Sequence, residues 1–137
     1  MPAVFPAEAE NMVAKLLFKG VDANRGVGLK LGLFTNSSFP VADNLVNLSH
    51  ITEVAVGATN LGYAPKTLVA SDWTVVDSVA SALTQSFTAT GTWADTVQGY
   101  FVATTGTIPK LLFYHVDTSY VFTTGTVYDV TLNVSVS

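Results

Sequence analysis

From Tyr63 onward the chain alternates apolar and polar residues in short runs, and that period of two predicts strand after strand. The run "YDVTLNVSVS", Tyr128 to Ser137, shows it most clearly. Tyr128, Val130, Leu132, Val134 and Val136 point one way, while Asp129, Thr131, Asn133, Ser135 and Ser137 point the other. Such a segment is a half-buried strand, and it stays ordered by pairing in a sheet. The runs "KTLVA", "WTVVD", "LTQSFTAT", "VQGYFVAT", "KLLFYHVD" and "SYVFTTG" read the same way. Breaks fall at Ser71-Asp72, Gly91, Gly106 to Pro109 and Gly125, residues that suit turns. In "LTQSFTATG", Leu83, Gln85, Phe87 and Ala89 form the inner set, and Thr84, Ser86 and Thr88 the wet face. "LLFYHV" is apolar on both faces, which predicts a central strand covered on each side.

Before Tyr63 the pattern differs. "MPAVFP" reads as an extended arm over residues 1–6. In "AEAENMVAKLLFKG" the residues Ala9, Met12, Val13, Leu16 and Leu17 recur at helical spacing, with acids first, lysines last and Gly20 beyond. This predicts a helix from Ala7 to Phe18. "LKLGLFTN" returns to a strand through Leu29, Leu31 and Leu33. Residues 35–62 form a long loop that the apolar "HITEVAV" interrupts, predicting a short strand from Ile51 to Val56. About eight evenly spaced strands after one helix give a mainly β fold, an antiparallel β-sandwich of jelly-roll type with one N-terminal α-helix. No repeat or second domain is visible. Residues 7–137 read as a single domain behind the arm.

Composition narrows the chemistry. With 137 residues and no cysteine, thiolate catalysis, cysteine zinc sites and disulfides are excluded. Net charge is −4 and the six basic residues are scattered, which argues against nucleic acid as a partner. No apolar run reaches the roughly 18 residues of a membrane helix. The opening residues lack the basic start of a secretory signal.

No catalytic, cofactor-binding or metal site is expected. The two histidines are His50 and His115, and no G-x-S-x-G elbow accompanies them. His115 lies within an apolar strand, where a packed or edge histidine is the simpler reading. His50 and Glu53 in "HITE" would need further ligands to hold a metal. "RGVGLKLG" lacks the third glycine of a phosphate loop and leads into a strand. Asp72, Asp77, Asp95, Asp117 and Asp129 sit in or beside turns or face solvent. The aromatics Tyr63, Trp73, Trp93, Tyr100, Tyr114, Tyr120 and Tyr128 either fill the core or an interface, or stack on sugar rings.

The order of segments, from a helix through "LKLGLFTN", a variable loop, "GYAPKTL", "SDWTV", "TQSFTATG", "VQGYFVAT" and "KLLFYHVD" to a final strand, resembles small virion structural proteins of tailed bacteriophages. The resemblance implies a capsid decoration, or cement, protein with no enzymatic activity and no cofactor. It would be made in the host bacterial cytoplasm and bound on the outer capsid surface. Its partner would be the major capsid protein, with the chain itself a homo-oligomer, dimer or trimer, on a local symmetry axis. The alternative is a receptor- or glycan-binding module of a phage tail or head fibre. Val4, Phe5 and Phe39 are bulky apolar residues in proline-rich or polar surroundings. They are the candidate capsid contacts, unless Phe5 staples the helix and Phe39 tucks under its own loop.

Overall fold

The computed structural model describes Phe18 and residues 28–135. The arm at residues 1–6, the helix expected from Ala7, and the capsid-contact candidates Val4 and Phe5 lie outside the described residues. The fold is mainly β and every strand pairing is antiparallel. Its strands are β1 (Leu29–Phe34), β2 (Lys66–Leu68), β3 (Trp73–Val76), β4 (Val79–Ala82), β5 (Gln85–Thr88), β6 (Thr96–Thr104), β7 (Leu111–Val121), β8 (Val127–Val130) and β9 (Asn133–Ser135). They form a four-stranded sheet ordered β2-β1-β6-β7, a three-stranded sheet β3-β4-β9 and the pair β5-β8.

The three sheets share one core. Leu29, Leu31 and Leu33 of β1 and Val97 and Val102 of β6 meet Trp73, Ala80, Phe87, Tyr128 and Val130 from the other two sheets, with Leu132 from the link between β8 and β9. Phe18 joins them, its ring 4.5 Å from that of Trp73. A second, smaller cluster lies on the opposite face of the four-stranded sheet. There Phe34, Phe101 and Ala103 are covered by Phe39, Leu48, Ile51, Leu111 and Tyr114. The long loop therefore folds back over the sheet. Asn36 fastens it, accepting from Thr52 N–H at 2.7 Å and donating to His50 O at 3.0 Å. Its far end is held by the fully buried Asn60, which donates to Ala55 O at 2.9 Å and Asp95 Oδ2 at 2.8 Å and accepts from Asp95 N–H at 3.1 Å. Buried polar groups are tolerated when satisfied in this way.

Three expectations about these elements need correction. The strands covered on both faces are β1 and β6, and the apolar "LLFYHV" lies in β7, at the edge of its sheet. Its apolar content serves two one-sided contacts instead: Phe113 packs on the main core and Tyr114 on the outer cluster. The same strand continues through "DTSYV", so two expected strands are one, with a register irregularity between Val97 and Gly99 opposite Asp117–Ser119. Gly99 fits there because a Cβ would stand 2.0 Å from His115 O. The expected strand from Ile51 to Val56 reduces to a single bridge between Glu53 and Phe34.

The final run keeps its alternation but not its unity. Tyr128, Val130 and Leu132 are buried and Val134 half-buried, as the pattern predicts, yet β8 pairs with β5 whereas β9 pairs with β4. Residues 136–137 lie outside the described residues. Strand β4 is not among the expected strands, because its inner residues, Ala80 and Ala82, carry little hydrophobic signal. Its hairpin with β3 turns at Asp77 and Ser78, both at positive φ (50° and 65°), as a two-residue loop of this hand requires without the usual glycine.

Between β4 and β5 sits a one-residue bulge. Ser81 faces Asn133 and Gln85 faces Val130, so three residues on one side span what two span on the other. Ala82 still pairs with Leu132, its N–H donating to Leu132 O at 3.0 Å, and Thr84 meets Thr131, their hydroxyls 2.8 Å apart. Leu83 is the extra residue. It is 64% exposed, contrary to its place in the expected inner set, and its N–H donates to Asp72 O at 2.8 Å. The bulge switches which alternate residues face inward, from Ala80 and Ala82 to Phe87 and Ala89.

Candidate functional site

Most of the chemistry-bearing side chains singled out in the sequence hold the chain to itself. His50 Nδ1 accepts from Asn47 N–H at 3.1 Å, closing a single helical turn. Glu53 takes Lys30 Nζ at 2.9 Å on Oε2 and the Tyr63 hydroxyl at 2.8 Å on Oε1. Asp72 accepts from Val69 N–H at 2.7 Å, Asp95 binds Asn60, and Asp129 accepts from the Ser86 hydroxyl across the β5–β8 pair. Among the described residues no group of three or more metal-ligating side chains comes together. Phe39 is half-buried, its ring 5.7 Å from Phe34 and 5.0 Å from Tyr114. It lies over the outer face of the four-stranded sheet, packed on Phe34 of β1 and Tyr114 of β7 and still partly exposed.

The aromatics divide. Tyr63, Trp73, Trp93 and Tyr128 are buried. Trp93 stacks on Phe122 with centroids 4.3 Å apart, touches Tyr63 edge-on at 5.6 Å, and donates its indole N–H to Leu61 O at 2.8 Å. Tyr100, Tyr114 and Tyr120 remain partly accessible.

One cluster stands apart from these internal clips. Pairing of β6 with β7 sets His115 opposite Tyr100, with rings 5.2 Å apart. Two residues along β7, Asp117 accepts from the Tyr128 hydroxyl at 2.9 Å on Oδ2 and from Thr118 N–H at 2.8 Å on Oδ1. Tyr120 packs edge-on against Tyr128 at 5.0 Å. Three strands thus deliver Tyr100, His115, Asp117, Tyr120 and Tyr128 to one place at the open edge of the sheet. His115 is exposed, Tyr120 is 39% exposed, Tyr100 and Asp117 are half-buried and Tyr128 is buried. Every member is visible in the sequence, but their meeting depends on the pairing of β6 with β7 and of β8 with β5.

The phenols respond to this setting. Burial pushes Tyr128 well above the ordinary tyrosine range, and the hydrogen bond to Asp117 and its charge push the same way. Tyr100 is raised by burial and then by Asp117. Burial also raises Tyr63, partly offset by Leu33 N–H and reinforced by Glu53. An unfolded tyrosine titrates near 10, so stability from these phenols is complete below about pH 10 and is lost as pH rises toward their folded values. The thermal midpoint should therefore hold level through mildly alkaline pH and fall above about pH 10, with a smaller fall in Tyr128→Phe. A midpoint as level at about pH 12 as at neutrality would refute this.

Comparison of the chain with models of protein families, with curated proteins and with solved structures finds no match, so the chemistry of this cluster is read from its own side chains.

Proposed function

We propose that this chain is a non-enzymatic structural protein of a tailed-phage virion, a decoration or cement protein that binds the outside of the capsid and bridges neighbouring capsomers. In this reading the antiparallel sheets are the layers of a jelly-roll sandwich, preceded by a helix at residues 7–18 and an arm at residues 1–6. The observation that carries it is the use made of the titratable side chains: His50, Glu53, Asp72, Asp95 and Asp129 each close an internal hydrogen bond. Large apolar side chains meanwhile stand exposed on loops and strand ends, among them Leu45 at 61%, Val56 at 65%, Ile108 at 71% and Val121 at 68%. A weakly charged surface with such side chains suits extended contact with other protein. The resemblance in segment order supports the same assignment.

Binding at many equivalent joints of a shell turns modest single affinities into large stabilisation. In this reading the grip comes from Val4 and Phe5 of the arm together with Phe39, which packs on Phe34 and Tyr114 and stays partly exposed. Purified virions should contain the protein at a copy number comparable to the major capsid protein, and its absence from them would end this reading. Removing residues 1–5 should weaken co-sedimentation with undecorated capsids by roughly 1–3 kcal/mol, the size of an interface anchor. Undiminished occupancy at limiting concentration would take the arm out of the mechanism.

A further inference from the structure

We infer that Tyr100, His115, Asp117, Tyr120 and Tyr128 form a binding site for a neutral saccharide at the β7 edge. The inference rests on the geometry of this cluster and is independent of the capsid reading. Sugar recognition needs an aromatic ring open on one face and hydrogen-bonding groups held rigidly beside it. Tyr120, a residue 39% exposed whose ring is braced edge-on against Tyr128 at 5.0 Å, supplies the first. Asp117 supplies the second. Its two oxygens are each fixed by one donor, the Tyr128 hydroxyl at 2.9 Å and Thr118 N–H at 2.8 Å. Each oxygen keeps a further lone pair, so the carboxylate can accept from adjacent sugar hydroxyls without rearranging.

His115 and the Tyr100 hydroxyl complete the set. Among the described residues neither the His115 ring nor the Tyr100 hydroxyl makes a hydrogen bond, and the two rings pack together at 5.2 Å. Both can donate to and accept from hydroxyl groups. The carboxylate among three phenols disfavours phosphorylated or acidic sugars, because an anion brought against Asp117 meets its charge in a partly dehydrated setting. A neutral polyol meets no such penalty, and its C–H face suits the open tyrosine ring.

The test is an NMR titration of the full chain with maltotriose, chitotriose and lactose, following the tyrosine and histidine ring resonances. Saturable shifts in the resonances of Tyr120 and His115 are expected with at least one of the three. Tyr120→Ala should weaken that binding about tenfold or more, while Tyr120→Phe, which keeps the ring, should stay within about threefold. Asp117→Asn should weaken it as well, with retained dispersion of the spectrum confirming that each variant is folded. Absence of saturable shifts with all three sugars, or unchanged affinity in folded Tyr120→Ala, would overturn the inference.

Discussion

Deleting Leu83 should unfold the protein, whereas Leu83→Ala should leave stability within about 0.5 kcal/mol. The contrast is informative because the Leu83 side chain is 64% exposed and contributes little burial. What matters is that one additional residue stands there. Ala80 and Ala82 face the core before it, Phe87 and Ala89 after it, while the opposing strand runs from Tyr128 to Leu132 without changing phase. Without the extra residue, one half of the ribbon must turn its inner side chains to solvent. Exposing Phe87, or pulling Trp73 and Ala80 out with the β3–β4 hairpin, costs on the order of 3–5 kcal/mol, a large share of the stability of a domain this size. The measurement is thermal or urea unfolding of both variants. A deletion variant with the wild-type midpoint would show that the bulge does not set the phase of the strand.

Trp93→Ala should cost about 3–5 kcal/mol and lower Tm by roughly 10–20 °C. Trp93 stacks on Phe122, meets Tyr63 edge-on and gives its indole N–H to Leu61 O. Truncation removes all three at once and leaves the Leu61 carbonyl without that donor. Trp93→Phe keeps the stack but not the hydrogen bond, so its loss should be roughly half as large. Equal losses in the two variants would assign the whole effect to the indole hydrogen bond.

The strand pattern was legible wherever large apolar residues alternate with polar ones: β1, β3, β5, β6 and the run through β8 and β9 all follow it. It failed at β4, where alanines do the packing, and at β7, where apolar residues on both faces signalled a buried centre. Two-sided hydrophobicity records how many faces are covered but not by how much, and partial cover of both faces at an edge reads as full cover at the middle. The centre of the sheet was masked in turn, because β1 and β6 use Gly32 and Gly99 against Phe101 and Phe34 rather than long apolar runs. The candidate site shows the same limit. Tyr100, His115, Asp117, Tyr120 and Tyr128 are each plain in the sequence, but they lie on three strands, and the irregularity that aligns β6 with β7 is marked only by Gly99, one glycine among many.

The division of the final run between two sheets has a consequence for biosynthesis. β4 and β5 take their partners β9 and β8 from residues 127–135, which leave the ribosome roughly 50 residues later. At elongation rates of about 5–20 residues per second, the inner faces of both strands wait several seconds for cover. Phe87 and Ala80 are presented to solvent in that interval, and two sheets close together when the last strands arrive. Slowed translation anywhere between residues 90 and 127 should therefore lower soluble yield more than the same delay placed before residue 60, with no change in the stability of the protein that does fold.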